Sequence, residues 1–492
     1  MSTAADKNRQ ALAALLGSEA LAARLVTTRI AVVAPQRDTP ASAALLVEVL
    51  ADTLGRLWPN IDFAGEAAAA ALRVAQDAAL SGEAPTGGLR AAWAPPYDVV
   101  VSIAGPVAGH DSPEIIVGAD DWTVGFGGSV ACGASNNPVG PAFAAALASA
   151  QVFATCFATE LANSGAKPLE DWNADLRDLF GAPELALVPL DLEHTHVFGV
   201  GAVTHGMAWL LEHWPRRVDG KLDLVDRDGY GGGNGQRYAF MPVDALGKSK
   251  VELMAARLDK RGDLEVTPHA TDLNTFCQER GYDRALGRVI TGLDSEESRR
   301  QAALKLPERT INMWTSGSYI GAGQYVPGEG RGCLACAYPE PIETPLDETA
   351  VFAAATGLLP GLVRELLNSA RGLTAEEAQT VANTRGVAAA ALVGEPIRSV
   401  MPVLCATGSV PLAVDKGAVD VPFAFSSLMA GITGFIMLLR DVQLRQAVSE
   451  GWTQHMFKKP AAAMMNEQGV HARCVRCGCF ALMLARWSEV AA

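Results

Sequence analysis

The sequence predicts an α/β protein made of two successive βα series, each folding into a largely parallel sheet with helices on its faces. Two observations carry this. Short β-branched or apolar runs alternate with longer stretches of helical spacing through the first half, and the same alternation restarts at His196. Between them, a proline-punctuated link over 183–192 breaks the pattern. At 492 residues the chain is long enough for two or three domains with full cores.

In the first series, 29–34 reads as a strand and 41–57 as a helix, then 97–103 and 114–117 as strands. A long helix with small residues on one side comes next, over 142–161. In the second series, 196–199 is strand and 204–213 helix, 222–225 strand and 248–260 helix. Strands at 288–292 and 311–315 flank a helix at 295–304. From about 346 to 393 the composition turns helical and reads as an insertion, bounded at 342–398. The apolar stretch 423–439 is interrupted by Ser426, Ser427 and two glycines, so it reads as a buried core helix. A cysteine-rich turn and an amphipathic helix over 480–487 close the chain. The two halves divide at 1–188 and 189–492 and have the pattern of diverged copies of one βα unit.

Composition narrows the function. Lys and Arg number 40 against 54 Asp and Glu, a formal charge of −14, which argues against a nucleic-acid partner. The N-terminus lacks the basic-then-apolar pattern of a signal peptide, and no stretch is a clear membrane span. Nine cysteines, some paired at metal-binding spacing, favour a reducing compartment such as the bacterial cytoplasm.

The segment VFGVGAVTHG puts Gly199 and Gly201 directly after a strand and before a helix. Glycines there let backbone approach phosphate at the helix N-terminus. Asp226 ends the next strand 25 residues beyond Gly201, where an acid can bind ribose hydroxyls, in NAD or ATP alike. The residues after Asp226 do not suit NAD, because Asn234 and Arg237 lie shortly beyond the acid and Lys250 opens a helix. An Arg and a Lys converging on the glycine turn neutralise a triphosphate.

Asp226-x-Asp228, five residues, Asn234, two residues, Arg237, then Gly247-x-x-Lys250 closely resembles the adenylation motif of the E1-like superfamily. That superfamily includes ubiquitin-activating enzymes and the ThiF-type activators of sulfur-carrier proteins. The resemblance implies two Rossmann-like adenylation units, one inactive and one active, with ATP at Gly199, Gly201, Asp226, Asp228, Asn234, Arg237 and Lys250. The family's magnesium acid matches Asp294 in VITGLDSEESRRQ, a position that also fits a helix N-cap. The family's arginine from the partner unit matches Arg9 in KNRQALAALLG. The first half lacks a glycine turn after IAVVA, so it resembles an inactive half lending Arg9 to the active one, with no homo-oligomer required. Thr204, Tyr238 and Thr291 stand where the family carries Gly, Gln and Asp.

Cys333-x-x-Cys336 and Cys474-x-x-Cys477 form two pairs with the spacing of a four-thiolate structural zinc site. Cys405, between these pairs, fits either a small buried residue or, by the resemblance, the nucleophile that takes the carrier as a thioester. Cys132, Cys156 and Cys277 read as packing residues, and Cys479 as a spare ligand or inert thiol. His194, His196 and His205 gather near the glycine turn, but alternation along a strand explains the first two without a metal.

The resemblance implies an enzyme that adenylates the C-terminal carboxylate of a ubiquitin-like protein ending in Gly, using MgATP. A thioester on Cys405 then passes the acyl group to an E2-like protein. Its two-half form resembles activators of bacterial ubiquitin-like conjugation operons, some of which act in defence against phage. Two other readings stay open: a sulfur-carrier adenylyltransferase, and a non-catalytic scaffold on a nucleotide-binding fold.

Overall fold

The computed structural model of the chain describes residues 4–128, 131–162, 169–281, 286–328, 330–339, 348–369, 371–385, 389–395, 397, 422–461, 465–471, 474 and 477. These fall into two compact units. One comprises Met1–Pro339 with Asp420–Ala492, and the other is Glu340–Val419.

The larger unit holds two sheets. The first contains β1 (Ile30–Val33), β2 (Ile61–Ala64), β3 (Leu89–Ala91), β4 (Val99–Ile103), β5 (Glu114–Asp120), β6 (Thr123–Phe126) and β7 (Trp172–Asp175). They lie in the order β3-β2-β1-β4-β5-β6-β7, parallel from β3 to β5 and antiparallel through β6 and β7. β1 and β4 are apolar runs buried on both faces, as parallel central strands must be.

The second sheet contains β8 (Leu190–Phe198), β9 (Val218–Val225), β10 (Glu265–His269), β11 (Arg288–Thr291), β12 (Arg309–Ser316), β13 (Tyr319–Tyr325), β14 (Ser449–His455) and β15 (Met465–Glu467). Its order is β10-β9-β8-β11-β12-β13-β14-β15, with β10 to β12 parallel and the rest antiparallel. The first strand of each half therefore sits centrally, its second and third strands lie to one side, and its fourth and fifth to the other. Identical strand order in both halves is what diverged copies of one unit produce.

One apolar core runs through both sheets. Its centre is the helix Ala424–Leu439, every residue of which is buried. This helix packs on β12 and β13, on the helix Ala202–His213 and on the first half's helix Val139–Cys156. Gly431 permits the closest approach, because a Cβ there would lie 2.3 Å from the Val203 carbonyl oxygen. Among the described residues two helices are long and apolar enough to cross a membrane, Val139–Cys156 and Ala424–Leu444. Both are core elements, largely buried inside the protein.

The smaller unit carries the helices Glu348–Thr356, Pro360–Ser369 and Ala375–Arg385 around Phe352, Val363, Leu366, Ala378 and Val381. The terminal helix expected over 480–487 lies outside the described residues.

Candidate active site

β8 and β11 are neighbours whose connections leave in opposite directions, so the chain splays apart beyond their C-terminal ends. Such switch points open a crevice where α/β sheets bind ligands. Here the crevice is a cleft of about 550 Å³. Gly199, Gly201, Asp226, Asp228, Asn234, Arg237, Lys250 and Asp294 all line it.

The glycine turn is held at both ends. Gly199 has φ +88°, and a Cβ there would lie 2.8 Å from the Gly292 carbonyl oxygen, so only glycine fits. Gly201, which lines the cleft, is the N-cap of the helix Ala202–His213 and brings no side-chain cap to that helix's first N–H groups. Asp226 accepts the Val200 N–H at 2.8 Å and the Asp228 N–H at 2.9 Å, tying turn to strand end. Thr204 donates its hydroxyl to the Gly199 carbonyl at 2.7 Å, which gives this departure from the resembled motif a place in the turn.

Lys250 opens the helix Lys250–Leu258 with its ammonium 3.2 Å from Asp228 and 3.9 Å from Asp226. Burial alone would lower its pKa, yet Tyr238, Asp226 and Asp228 together hold it above the ordinary lysine value. It stays charged. Tyr238 spreads its ring beneath both cations, 5.6 Å from the Arg237 guanidinium and 5.7 Å from the Lys250 ammonium. Arg237 has no carboxylate partner among the described residues, so its charge is available to a ligand.

Asp294 is equally uncommitted. Ser295, not Asp294, caps the helix Glu296–Leu304, accepting the Ser298 N–H. Asp294 is exposed to the cleft and has no hydrogen-bond or ion-pair partner among the described residues. A free carboxylate in the same cleft as two cations could hold a magnesium ion carried on phosphate. Thr291 is turned away and donates to Asn312 at 2.8 Å; Asn312 in turn donates to the Tyr338 hydroxyl at 3.0 Å.

The cleft also has a wall that the sequence reading did not identify: Thr271, Asp272, Leu273 and Asn274. They open the helix Leu273–Arg280 after β10, and Asp272 caps it by accepting the Asn274 and Thr275 N–H groups. Asp272 with Asn274 and Thr275 after it is an N-cap signal that marks this wall.

Arg9 stands apart from the cleft lining. It lies on the helix Ala4–Leu16, pairs with Asp6, and that helix packs on the turn Gly232–Gln236 that bears Asn234. In the first half, the places of Gly199 and Asp226 fall to Ala34 and Gly65, after β1 and β2, so its strand ends offer neither a glycine turn nor an acid.

Cys333, Cys336, Cys474 and Cys477 converge as a second site. Their sulfurs lie 3.8 Å apart for Cys333 and Cys336, 3.6 Å for Cys333 and Cys474, and 3.3 Å for Cys336 and Cys477. Tetrahedral zinc with bonds of ~2.3 Å needs sulfurs about 3.8 Å apart, which these distances approach. The Cys336 thiol is pushed up first by the Cys333 sulfur, and burial pushes Cys477 to about 12. Thiolates gathered this closely are held together by a cation. Cys405 and Cys479 lie outside the described residues. Burial raises the thiols of Cys132, Cys156 and Cys277, Cys156 to about 12, as inert packing thiols require.

The histidines part company. His205 is buried under the glycine turn, its Nδ1 on the Ala239 carbonyl and its Nε2 on the Tyr230 hydroxyl. His194, His196 and His269 gather instead around buried Asp223, at 2.7, 3.4 and 3.0 Å. Arg280 also lies there, 2.8 Å from Asp223, and the ligand atoms of His194, His196 and Asp223 lie within 4.8 Å of one another, close enough to share a metal ion. Burial and then His194 hold His196 down to about 4, and burial and then Lys458 do the same to His455. A histidine depressed in the folded state is protonated first in the unfolded chain. Its stabilisation is full above about pH 6.5 and is lost as pH falls toward the folded value. Urea unfolding is therefore expected to show a lower midpoint at pH 5 than at pH 7; equal midpoints would contradict this.

No protein-family model matches the chain. Over 345 residues it is 30% identical to the Sinorhizobium fredii protein described as "Uncharacterized protein y4jF", a match spanning 66% of this chain and 65% of that relative. Less than two thirds of the relative's length is therefore covered. Among solved structures the chain is similar to E. coli MccB with MccA-N7isoASN, at 14% identity and TM-score 0.36, over 58% of this chain and 67% of that one. E. coli MccB with ATP gives 15% identity and TM-score 0.34, over 58% and 66%. The Microcin C7 biosynthetic enzyme MccB with N-formylated MccA gives 16% identity and TM-score 0.34, over 58% and 68%.

Proposed function

We propose that this chain is an E1-like adenylating enzyme, which activates the C-terminal carboxylate of a ubiquitin-like protein with MgATP in the cleft between β8, β9 and β11. One observation carries the reading: a glycine turn, a ribose-binding acid, two cations and an uncommitted carboxylate line the same crevice. Dinucleotide chemistry has no need of the last three.

The adenosine ribose hydroxyls donate to Asp226, whose oxygens each keep a lone pair beyond the backbone bonds described. The triphosphate lies across Gly199 and Gly201 toward the helix N-terminus. The carrier's carboxylate oxygen attacks the α-phosphorus, the bond from α-phosphorus to the bridging oxygen breaks, and pyrophosphate leaves. Arg237 and Lys250 meet the charge that gathers on the phosphate oxygens, and Arg9 joins them by leaving Asp6. Asp294 would hold magnesium, which supplies neutralisation of the pyrophosphate. Asn234 orients the ligand from the Gly232–Gln236 turn. The four cysteines would hold structural zinc, joining the segment around Cys474 and Cys477 to the loop after β13.

Cys405 then attacks the acyl carbon, AMP leaves, and the carrier is held as a thioester for an E2-like protein. Incubation with MgATP and a Gly-ended ubiquitin-like protein is expected to yield a covalent adduct that thiols reverse and Cys405→Ala abolishes. Adenylate formation without any such adduct would refute the thioester step. Release of ADP and phosphate, in place of AMP and pyrophosphate, would refute adenylation itself.

A further inference from the structure

Resting on the reading of the cleft as an adenylation site, we propose that Asp52 and Arg56 of the first half are positioning residues for the second half's nucleotide site. They clamp the segment over 235–240 that presents Arg237 to the cleft.

Glu48, Asp52 and Arg56 recur every four residues at the end of the helix Ala41–Gly55 and its C-cap, an otherwise apolar run. That spacing stacks them on one face. Arg56 is fully buried and Asp52 nearly so, and they form a two-point pair at 3.0 and 2.7 Å. The remaining arm of Arg56 donates to the Ser81 hydroxyl and to the Gly235 carbonyl, both at 2.8 Å. Asp52 also accepts the Phe240 N–H at 3.1 Å. One ion pair thus grips the loop at Gly235 and at Phe240, on either side of Arg237 and Tyr238.

The loop needs gripping. Phe240 has φ +56°, a conformation that a non-glycine residue keeps only when its surroundings fix it. Its ring stacks on Trp209 at 5.2 Å, and the Trp209 indole N–H donates to Glu48 at 3.3 Å, so the third member of the stripe acts on the same corner. Buried ion pairs are commonly replaceable by apolar residues without loss of stability. An apolar pair cannot, however, bond the Gly235 carbonyl and the Phe240 N–H. The first half, with neither glycine turn nor acid at its own strand ends, would in this way hold the active half's arginine in place.

The test compares the wild-type chain with Asp52→Leu/Arg56→Leu and with Arg56→Lys, which keeps the charge but cannot reach Asp52, Ser81 and Gly235 together. Each is measured for melting temperature, for amide hydrogen exchange across 232–240, and for affinity toward a non-hydrolysable ATP analogue. The expected result is a near-native melting temperature, faster exchange confined to 232–240, and analogue binding weakened about tenfold. Arg56→Lys should fall between the two. Native protection of 232–240 with unchanged analogue affinity in a folded variant overturns the proposal. If the leucine pair does not fold, Arg56→Lys decides by the same two readings. A wild-type chain that binds no ATP analogue would sink the adenylation reading, while amide exchange would still decide the clamp.

Discussion

Replacing Arg237 with Ala, or Lys250 with Met, is expected to slow ATP–pyrophosphate exchange by about 10²- to 10³-fold, the usual effect of removing one charged donor from a transition state. Arg237 has no acidic partner among the described residues, so its loss should leave the melting temperature nearly unchanged. Lys250 differs in being buried and held charged beside Asp226 and Asp228. Its removal leaves the largely buried Asp226 facing the cleft without its nearby cation, so a modest loss of stability should accompany the loss of rate. The comparison of the two variants by thermal melting and exchange kinetics separates these roles. A variant at either position that exchanges at the wild-type rate would contradict the assignment.

The second large effect concerns the cysteine cluster. Cys336→Ser is expected to lower stability by more than about 4 kcal/mol, the range in which loss of a structural metal falls. The wild-type protein should contain one equivalent of zinc, which a strong chelator removes with a matching drop in melting temperature. The consequence should reach the cleft, because Tyr338, two residues beyond Cys336, accepts from Asn312, and Asn312 accepts from Thr291 and Arg299. Arg299 also donates to the Leu293 carbonyl in the turn just before Asp294. A metal-free protein of unchanged stability would contradict a structural role.

The residues named from the sequence meet in one cleft because they are close along the chain. Asp226, Asn234, Arg237 and Lys250 fall within 25 residues, and the cysteine pairs have a spacing that metal geometry dictates. The sequence reading reached the central strands for a related reason: β1, β4 and β8 are apolar or alternating runs that tolerate little else. β10 was not legible. It is an edge strand of Glu-Val-Thr-Pro-His, with a proline that only an edge tolerates and no apolar stripe to mark it. With β10 went the helix behind it, and with that helix the Thr271–Asn274 wall of the cleft. β2 and β3 are similarly short, of four and three residues.

The stripe of Glu48, Asp52 and Arg56 was present in the sequence as three charged residues in an apolar helix, but its partners lie about 160 to 190 residues away, at Trp209, Gly235 and Phe240. No local pattern names them. Likewise His194 and His196 alternate along β8 as expected, while their partner Asp223 and the cation Arg280 come from other elements. Contacts of that range belong to the fold.

The central claim is that this cleft joins AMP to a carboxylate. Exchange of labelled pyrophosphate into ATP, with and without a ubiquitin-like protein ending in Gly, tests it most directly. Exchange should require both magnesium and the free C-terminal carboxylate, and should vanish in the Asp294→Ala protein. A chain that binds ATP but exchanges no pyrophosphate with any such carrier, or exchanges equally well when the carboxylate is amidated, would contradict it.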